Sequence, residues 1–167
     1  ANTPHYPIAV SSVTANRLTK IGPSRDLIEV IPNGIDVDRI ESTEPVDEGF
    51  DVLYAGRLIE DKNVDLLLEA FDRVAGAVPN ATLGIIGDGP ERERLEQQAS
   101  NLNYANRVTM LGFLEEYDDV LAHMCAADVF ISPSTREGFG ITFAEAMAAD
   151  CTVIAAEHPE SAASEVI

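Results

Sequence analysis

Three junctions in this sequence bring together residue types that bind anions. Arg57 follows the apolar run Asp51 to Ala55 after a single glycine, Gly56, and Lys62 lies five residues further on. An arginine fork clamps phosphate through two parallel hydrogen bonds and a lysine adds a mobile point charge, so the pair could hold a diphosphate. Glu60, Asp61 and Asp65 offer the plainer alternative of surface ion pairs. The second junction reads Glu137-Gly138-Phe139-Gly140, with no charged residue from 138 to 144. Glycines on both sides of an aromatic let backbone amides approach a ligand, and an uncharged helix start stays open to an anion. Its two acids also have ordinary readings. Thr142-Phe143-Ala144-Glu145 has the form of a capping box, in which the glutamate satisfies a backbone N–H. Glu137 can be a solvated loop acid. The third junction, Gly87-Asp88-Gly89-Pro90, is only superficially a phosphate loop. Arg92 stands where G-x-G-x-x-G has its third glycine, and no Gly-Lys-Ser/Thr follows. Asp88, Glu91 and Glu93 already supply negative charge there, so a structural helix start with Pro90 at its first position is expected.

Other chemistry is poorly represented. Cys125 and Cys151 lie in apolar surroundings without a C-x-x-C spacing, and His5, His123 and His158 are scattered. Neither pattern suits a zinc or iron–sulfur site, and two buried free thiols in a reducing cytoplasm are expected. Twenty-nine acids against eleven bases give a net charge of −18, and only Lys20 and Lys62 are lysines. Such a surface repels nucleic acid phosphates and anionic membranes. Acid-rich, lysine-poor composition also points to a halophilic protein working in molar salt, where charge is screened within about 3 Å.

The elements that must position these residues alternate strand and helix. Short strands are expected at Ile8–Ser11 and Leu27–Ile31, the latter closed by the turn Pro32-Asn33-Gly34, with a helix over Ser12–Ile21 between them. Glu41–Gly49, acidic and carrying Pro45, reads as a loop. Further strands fall at Asp51–Ala55, Ala81–Ile86, Arg107–Leu111, Val129–Ser132 and Thr152–Ala156. Val64, Leu67, Leu68, Phe71, Val74 and Ala75 recur at helical spacing behind Asn63, a candidate N-cap. Helices are also expected near Glu91–Asn101, Tyr117–Ala126 and Ile141–Ala149, and the terminal Glu165-Val166-Ile167 reads as the start of another. No apolar run approaches the roughly 18 residues of a membrane span, and no signal peptide opens the chain. Repeated β-then-α units at this length imply one α/β domain, a Rossmann-like parallel sheet flanked by helices.

At these residues the sequence resembles the C-terminal, donor-binding domain of GT-B fold glycosyltransferases, the large retaining family 4 (group 1) type. The similarity runs from Ile31-Pro32-Asn33-Gly34-Ile35-Asp36 through Tyr54-Ala55-Gly56-Arg57-Leu58 with Lys62, Gly87-Asp88-Gly89-Pro90 and Leu111-Gly112-Phe113. It continues from Ser132-Pro133-Ser134 to Glu145-Ala146-Met147-Ala148, which holds the E-x7-E pair Glu137 and Glu145. In this order and spacing the motifs cover nearly the whole chain. The resemblance implies that residues 1–167 form one half of a GT-B fold, a fragment without the N-terminal acceptor domain, and the missing initiator methionine agrees. By the same resemblance Arg57 and Lys62 hold the diphosphate of a UDP- or GDP-sugar and stabilise the leaving group. Glu145 takes the ribose hydroxyls and Glu137 faces the donor sugar. Gly56 belongs to the donor loop, Gly112, Phe113 and Leu114 lie beside the base, and Gly138, Phe139 and Gly140 offer amides near sugar and phosphate.

The resemblance further implies that no metal is required, the positive side chains taking that role. The parent enzyme is expected to be a cytoplasmic hexosyltransferase acting on a glycan, lipid or small molecule, with peripheral attachment to the inner face of the cell membrane left open. The fragment alone is expected to bind nucleotide weakly and to transfer nothing. Three departures stand out. Asn63 replaces a glycine, Asp150-Cys151-Thr152-Val153 replaces Gly-x-Pro-Val, and His158-Pro159-Glu160-Ser161 replaces a glycine-rich loop that helps hold phosphate. Two rival readings remain: a GT-B sugar-nucleotide 2-epimerase, whose extra acid and histidine cluster is not legible here, and a non-catalytic regulatory nucleotide-binding domain.

Overall fold

Two-residue strands β1 (Ile8–Ala9) and β2 (Glu29–Val30) pair with each other in parallel, apart from the main sheet, with α1 (Ser12–Thr19) between them in the chain. The structure, a computed structural model, describes residues 6–167, so His5 lies outside it. After the short helix α2 (Val37–Glu41), strands β3 (Val52–Ala55), β4 (Leu83–Ile86), β5 (Val108–Gly112), β6 (Val129–Ser132) and β7 (Thr152–Ala155) form one parallel sheet. Its order is β5-β4-β3-β6-β7. The connecting helices are α3 (Val64–Ala77), α4 (Arg92–Ser100), α5 (Tyr117–Cys125) and α6 (Ile141–Ala148). This is the expected Rossmann-like α/β architecture. Chain order reverses between β3 and β6, and in such sheets ligands sit beyond the strands' carboxyl ends at that point.

Both faces of the sheet are covered, so its strands read as continuous apolar runs. Leu53 and Ala55 of β3 pack with Leu121, Met124 and Phe143 of α5 and α6, and Tyr54 packs with Leu67, Leu68 and Phe71 of α3 on the other face. The α3 stripe is as expected except for Val74, at its edge, which is 44% exposed. Cys125 and Cys151 are free; Cys151 is buried, which pushes its thiol up to about 11, while Cys125 is only partly buried.

Several local expectations need correction. Strand β1 stops early because Ser11 is the N-cap of α1, its Oγ accepting from the Thr14 amide at 3.0 Å, and β2 begins late because Arg25–Leu27 form a 3-10 turn. Helix α2 takes the start of the expected acidic loop, capped by Asp36 through the Arg39 amide at 3.1 Å. Pro90 precedes α4 by a turn instead of opening it, since Arg92 is the first helical residue. Residues Ala163–Glu165 form only a 3-10 turn. There the Glu165 carboxylate accepts from the Ser12 and Val13 amides at 2.8 and 3.0 Å, closing the start of α1 with charge complementary to the helix dipole.

The carboxyl ends of β3, β4 and β5 are drawn tightly together. The Gly56 amide donates to the Ile86 carbonyl at 3.0 Å, and the Gly87 amide to the Gly112 carbonyl at 2.7 Å. Gly87 has φ +138°, and a Cβ there would stand 1.8 Å from the Gly56 carbonyl oxygen. Glycine is needed at this junction for backbone approach within the protein itself.

Candidate functional site

One loop, between β3 and α3, carries both expected cations to the sheet's carboxyl edge. Tyr54, fully buried, donates its hydroxyl to the Arg57 carbonyl at 3.1 Å. Burial, followed by the nearby Glu137 charge, pushes the Tyr54 phenol well above its usual range, so it remains a donor. It thereby pins the turn from which the exposed Arg57 side chain projects. The Lys62 loop is stitched to the loop after β6. The Asp61 carbonyl accepts from the Thr135 amide at 3.0 Å, and the Asn63 amide group donates to the Pro133 carbonyl at 3.0 Å. Asn63 occupies the N-cap position of α3 without capping it; its φ of 48° is left-handed, a conformation open to asparagine as to glycine. Lys62 forms an ion pair with Glu137, both largely buried, and not with Glu60, Asp61 or Asp65. Lys62 and Glu137 therefore act as one unit spanning the two loops.

Glu145 does not belong to a capping box. The N-cap of α6 is Gly140, with φ +87°, so Thr142 is already inside the helix. Glu145 is 6% exposed and accepts a hydrogen bond from the Tyr117 hydroxyl, which comes from the start of α5. Burial pushes the Glu145 carboxyl above its usual value, and the Tyr117 hydrogen bond opposes that shift. Burial first, and then its bond to Glu145, likewise raise the Tyr117 phenol. Arg39 lies over the Tyr117 ring at 5.2 Å and pairs with Asp118 at 2.6 Å, steadying the ring from outside.

These residues line two adjoining depressions that share Arg57. One is an apolar cleft of about 240 Å³ lined by Gly56, Arg57, Phe113, Leu114, Tyr117 and Glu145. The other is a basin of about 430 Å³ bounded by Arg57, Lys62, Glu137 and Gly138. Among the described residues, the backbone amides of 138–142 donate to no protein acceptor, so the start of α6 keeps free donors beside the basin. The Gly138 carbonyl, by contrast, is occupied by the Ser11 and Thr14 hydroxyls at 2.6 and 2.9 Å.

Of the expected residues, Gly56, Arg57, Phe113, Leu114 and Glu145 meet in the cleft, and Arg57, Lys62, Glu137 and Gly138 in the basin. Gly112, Phe139 and Gly140 line neither. Gly112 joins β5 to β4 as above, and a Cβ on Gly140 would lie 2.5 Å from the Phe143 ring, so packing requires glycine there. Phe113 projects outward, 70% exposed. Sequence reasoning missed Tyr117 and the anchoring role of Tyr54. Tyr117's position at the start of the helix following Gly112-Phe113-Leu114 was the available signal. Among the described residues no three His, Cys, Asp or Glu side chains gather as they would around a metal ion, and no helix is long and apolar enough to cross a membrane.

Comparison with known proteins agrees with this fold. The profile of the family described as glycosyl transferases group 1 matches residues 37–167. Phosphatidyl-myo-inositol mannosyltransferase of Mycobacterium tuberculosis is 37% identical over 158 residues, covering 90% of this chain and 40% of the relative. A 2-deoxystreptamine glucosyltransferase of Streptomyces kanamyceticus is 29% identical, covering 81% and 38%. Among solved structures, Anabaena HepE in complex with UDP-glucose superposes with a TM-score of 0.83 at 26% identity, covering 99% of this chain and 48% of that one. The chain thus spans about 40% of the length of the curated relatives it matches. With the profile matched over most of its length, and a Rossmann-like fold shared with HepE, the chain belongs to the glycosyl transferases group 1 family.

Proposed function

We propose that this domain binds the nucleotide-sugar donor, a UDP- or GDP-linked hexose, for a longer retaining glycosyltransferase that passes the hexosyl group to a glycan, lipid or small-molecule acceptor. One observation carries the reading: Arg57 is shared between an apolar cleft that Glu145 also lines and a basin holding Lys62 and Glu137. A nucleoside diphosphate sugar has the same order of parts, with base and ribose first, then phosphates, then sugar. The base lies against Phe113 and Leu114 and the ribose hydroxyls donate to Glu145. Arg57, Lys62 and the free amides of α6 meet the diphosphate, and Glu137 faces the sugar.

In the transfer, the bond from the anomeric carbon to the diphosphate oxygen breaks and the acceptor oxygen bonds to that carbon on the same face. The acceptor's proton ends on the departing diphosphate. Arg57 and Lys62 stabilise the charge growing on the leaving group, the kind of electrostatic term that dominates many enzymes, and they do so without a metal ion. The acceptor is held by another part of the longer protein, and a lipid acceptor would bring that protein to the inner face of the cell membrane. Relatives named for GDP-mannose and a structural neighbour solved with UDP-glucose support a nucleotide hexose and keep both bases in view. The acid-rich composition fits an interior of molar salt, which damps the long-range repulsion between a −18 chain and an anionic donor.

Calorimetric titration in molar KCl with UDP, GDP, UDP-glucose and GDP-mannose tests the reading. One base is expected to bind, and Arg57→Ala and Glu145→Ala should each weaken it about tenfold or more, the usual worth of a hydrogen bond to a charged group. Binding unaffected by either substitution would refute it.

A further inference from the structure

The basin beside Arg57 concentrates positive charge in a strongly acidic chain. Arg17, Arg57, Lys62 and Arg136 line it against only Asp61 and Glu137. Two of the four cations are matched, Lys62 by Glu137 and Arg136 by Asp61 at 3.7 Å. Arg57 and Arg17 have no carboxylate within ion-pair distance among the described residues. Two uncompensated positive charges therefore face one basin, as many as the negative charges on a nucleoside diphosphate sugar.

Arg17 reaches the basin from α1, outside the main sheet, and that helix is held firmly. Ser11 and Thr14 anchor it to the Gly138 carbonyl, and Glu165 closes its first turn. Thr14 and Arg17 are one turn apart on the same helix face, so Arg17 is directed toward the loop that Thr14 touches. One nitrogen of its guanidinium donates to the Glu160 carbonyl, leaving the rest of the fork free. The backbone donors nearby are already used: the Ser161 amide by the His158 carbonyl at 2.9 Å, and the Ala162 amide by the Glu137 carbonyl at 3.2 Å. Beside these occupied amides, among the described residues, Arg17 keeps donors free to meet an anion.

We propose that Arg17 is a phosphate-binding residue of the donor site, holding the sugar-side phosphate of the nucleoside diphosphate opposite Arg57. The assignment rests on the donor reading above and adds to it a cation that comes from a separate element of the fold. Its test is calorimetric titration of the 167-residue chain and its Arg17→Gln variant in molar KCl, with UDP and GDP set against UMP and GMP. Arg17→Gln should weaken the diphosphate about tenfold while leaving the monophosphate within about twofold, because only the second phosphate reaches Arg17. Arg17→Lys should recover part of the loss, since it keeps a point charge without the fork. Thermal melts separate a binding role from a structural one: an unchanged midpoint alongside the selective loss supports the proposal. Equal weakening of mono- and diphosphate, or a diphosphate bound as tightly by Arg17→Gln as by the parent chain, overturns it. In the latter case the donor reading stands, whereas failure of the parent chain to bind any of the four nucleotides removes both.

Discussion

Replacing Gly87 with alanine distinguishes a structural glycine from a phosphate loop. At φ +138° and with the new Cβ 1.8 Å from the Gly56 carbonyl oxygen, the substitution cannot be absorbed by a side-chain rotation. The ends of β3 and β4 must separate, which endangers the Gly56–Ile86 hydrogen bond of 3.0 Å and the Gly87–Gly112 bond of 2.7 Å. Leaving a buried backbone group unpaired costs about 1–3 kcal/mol for each bond lost. The disfavoured backbone conformation adds about 1–2 kcal/mol. With both bonds lost, the combined penalty of about 3–8 kcal/mol is a large part of the roughly 5–15 kcal/mol that a domain possesses. At about 2–4 °C for each kcal/mol in a domain of this size, the melting midpoint should fall by about 6–30 °C. Circular dichroism melts and urea titrations of Gly87→Ala against the parent chain measure this directly. A variant melting within about 3 °C of the parent but unable to bind nucleotide would refute the reasoning, because the glycine would then serve a ligand and not the strands.

Two further substitutions probe the cleft. Burial raises the Glu145 carboxyl, so its contribution to stability is present below the unfolded value of about 4.3 and is lost as pH rises through the folded value. Glu145→Gln should therefore melt no lower than the parent at neutral pH, with a flatter pH–stability curve, while losing about tenfold or more in nucleotide affinity; a lower midpoint with an unchanged curve would contradict this. Tyr117→Phe removes the hydrogen bond that opposes the rise, so the acid limb of the nucleotide affinity–pH profile should move to higher pH, and the affinity should fall by about three- to tenfold at neutral pH. Superimposable profiles for Tyr117→Phe and the parent chain would show that the hydroxyl does not position Glu145.

What could be read from the sequence depended on how far apart the interacting residues lie. The five main strands and the helices between them have local causes, apolar runs and helical spacing, and those expectations agree with the structure. Arg57, Lys62, Glu137 and Glu145 stood out from their place in the strand-to-helix junctions and in the motifs that carry the resemblance. The contacts that hold α1 against these junctions did not. Ser11 meets Gly138, Arg17 meets Glu160 and Glu165 meets Ser12 across more than a hundred residues of chain, and no spacing rule encodes such contacts. Helix α2, with five residues, is too short to show a period. The capping-box pattern at Thr142 failed for a different reason: Gly140, taking up a left-handed conformation, had already started the helix.

The starts of α4 and α6 show how charge placement selects between two similar glycine-containing junctions. Arg92 and Arg94 near the start of α4 look suited to an anion, yet each is engaged by acids. Arg92 pairs with Asp88 at 3.1 Å and Glu96 at 2.7 Å, and Arg94 with Glu91 at 2.6 Å and Asp65 at 3.5 Å. The Asp88 carboxylate also accepts the Gly89 amide at 2.6 Å, so the negative charge favoured at a helix start is already in place. An incoming phosphate would have to displace a carboxylate that belongs to the chain. At α6 no acid occupies residues 138–144, the amides of 138–142 are free among the described residues, and the cations come from elsewhere, on the loops after β3 and on α1. Exposed ion pairs like those of α4 are worth about 0–1 kcal/mol and weaken with salt. On the proposed donor reading a phosphate in the basin would meet several donors at contact distance, which screening reduces far less. In a chain of net charge −18, the proposed anion site therefore lies where Arg17 and Arg57 are left without a carboxylate partner among the described residues, and not at the start of α4, where each arginine is paired.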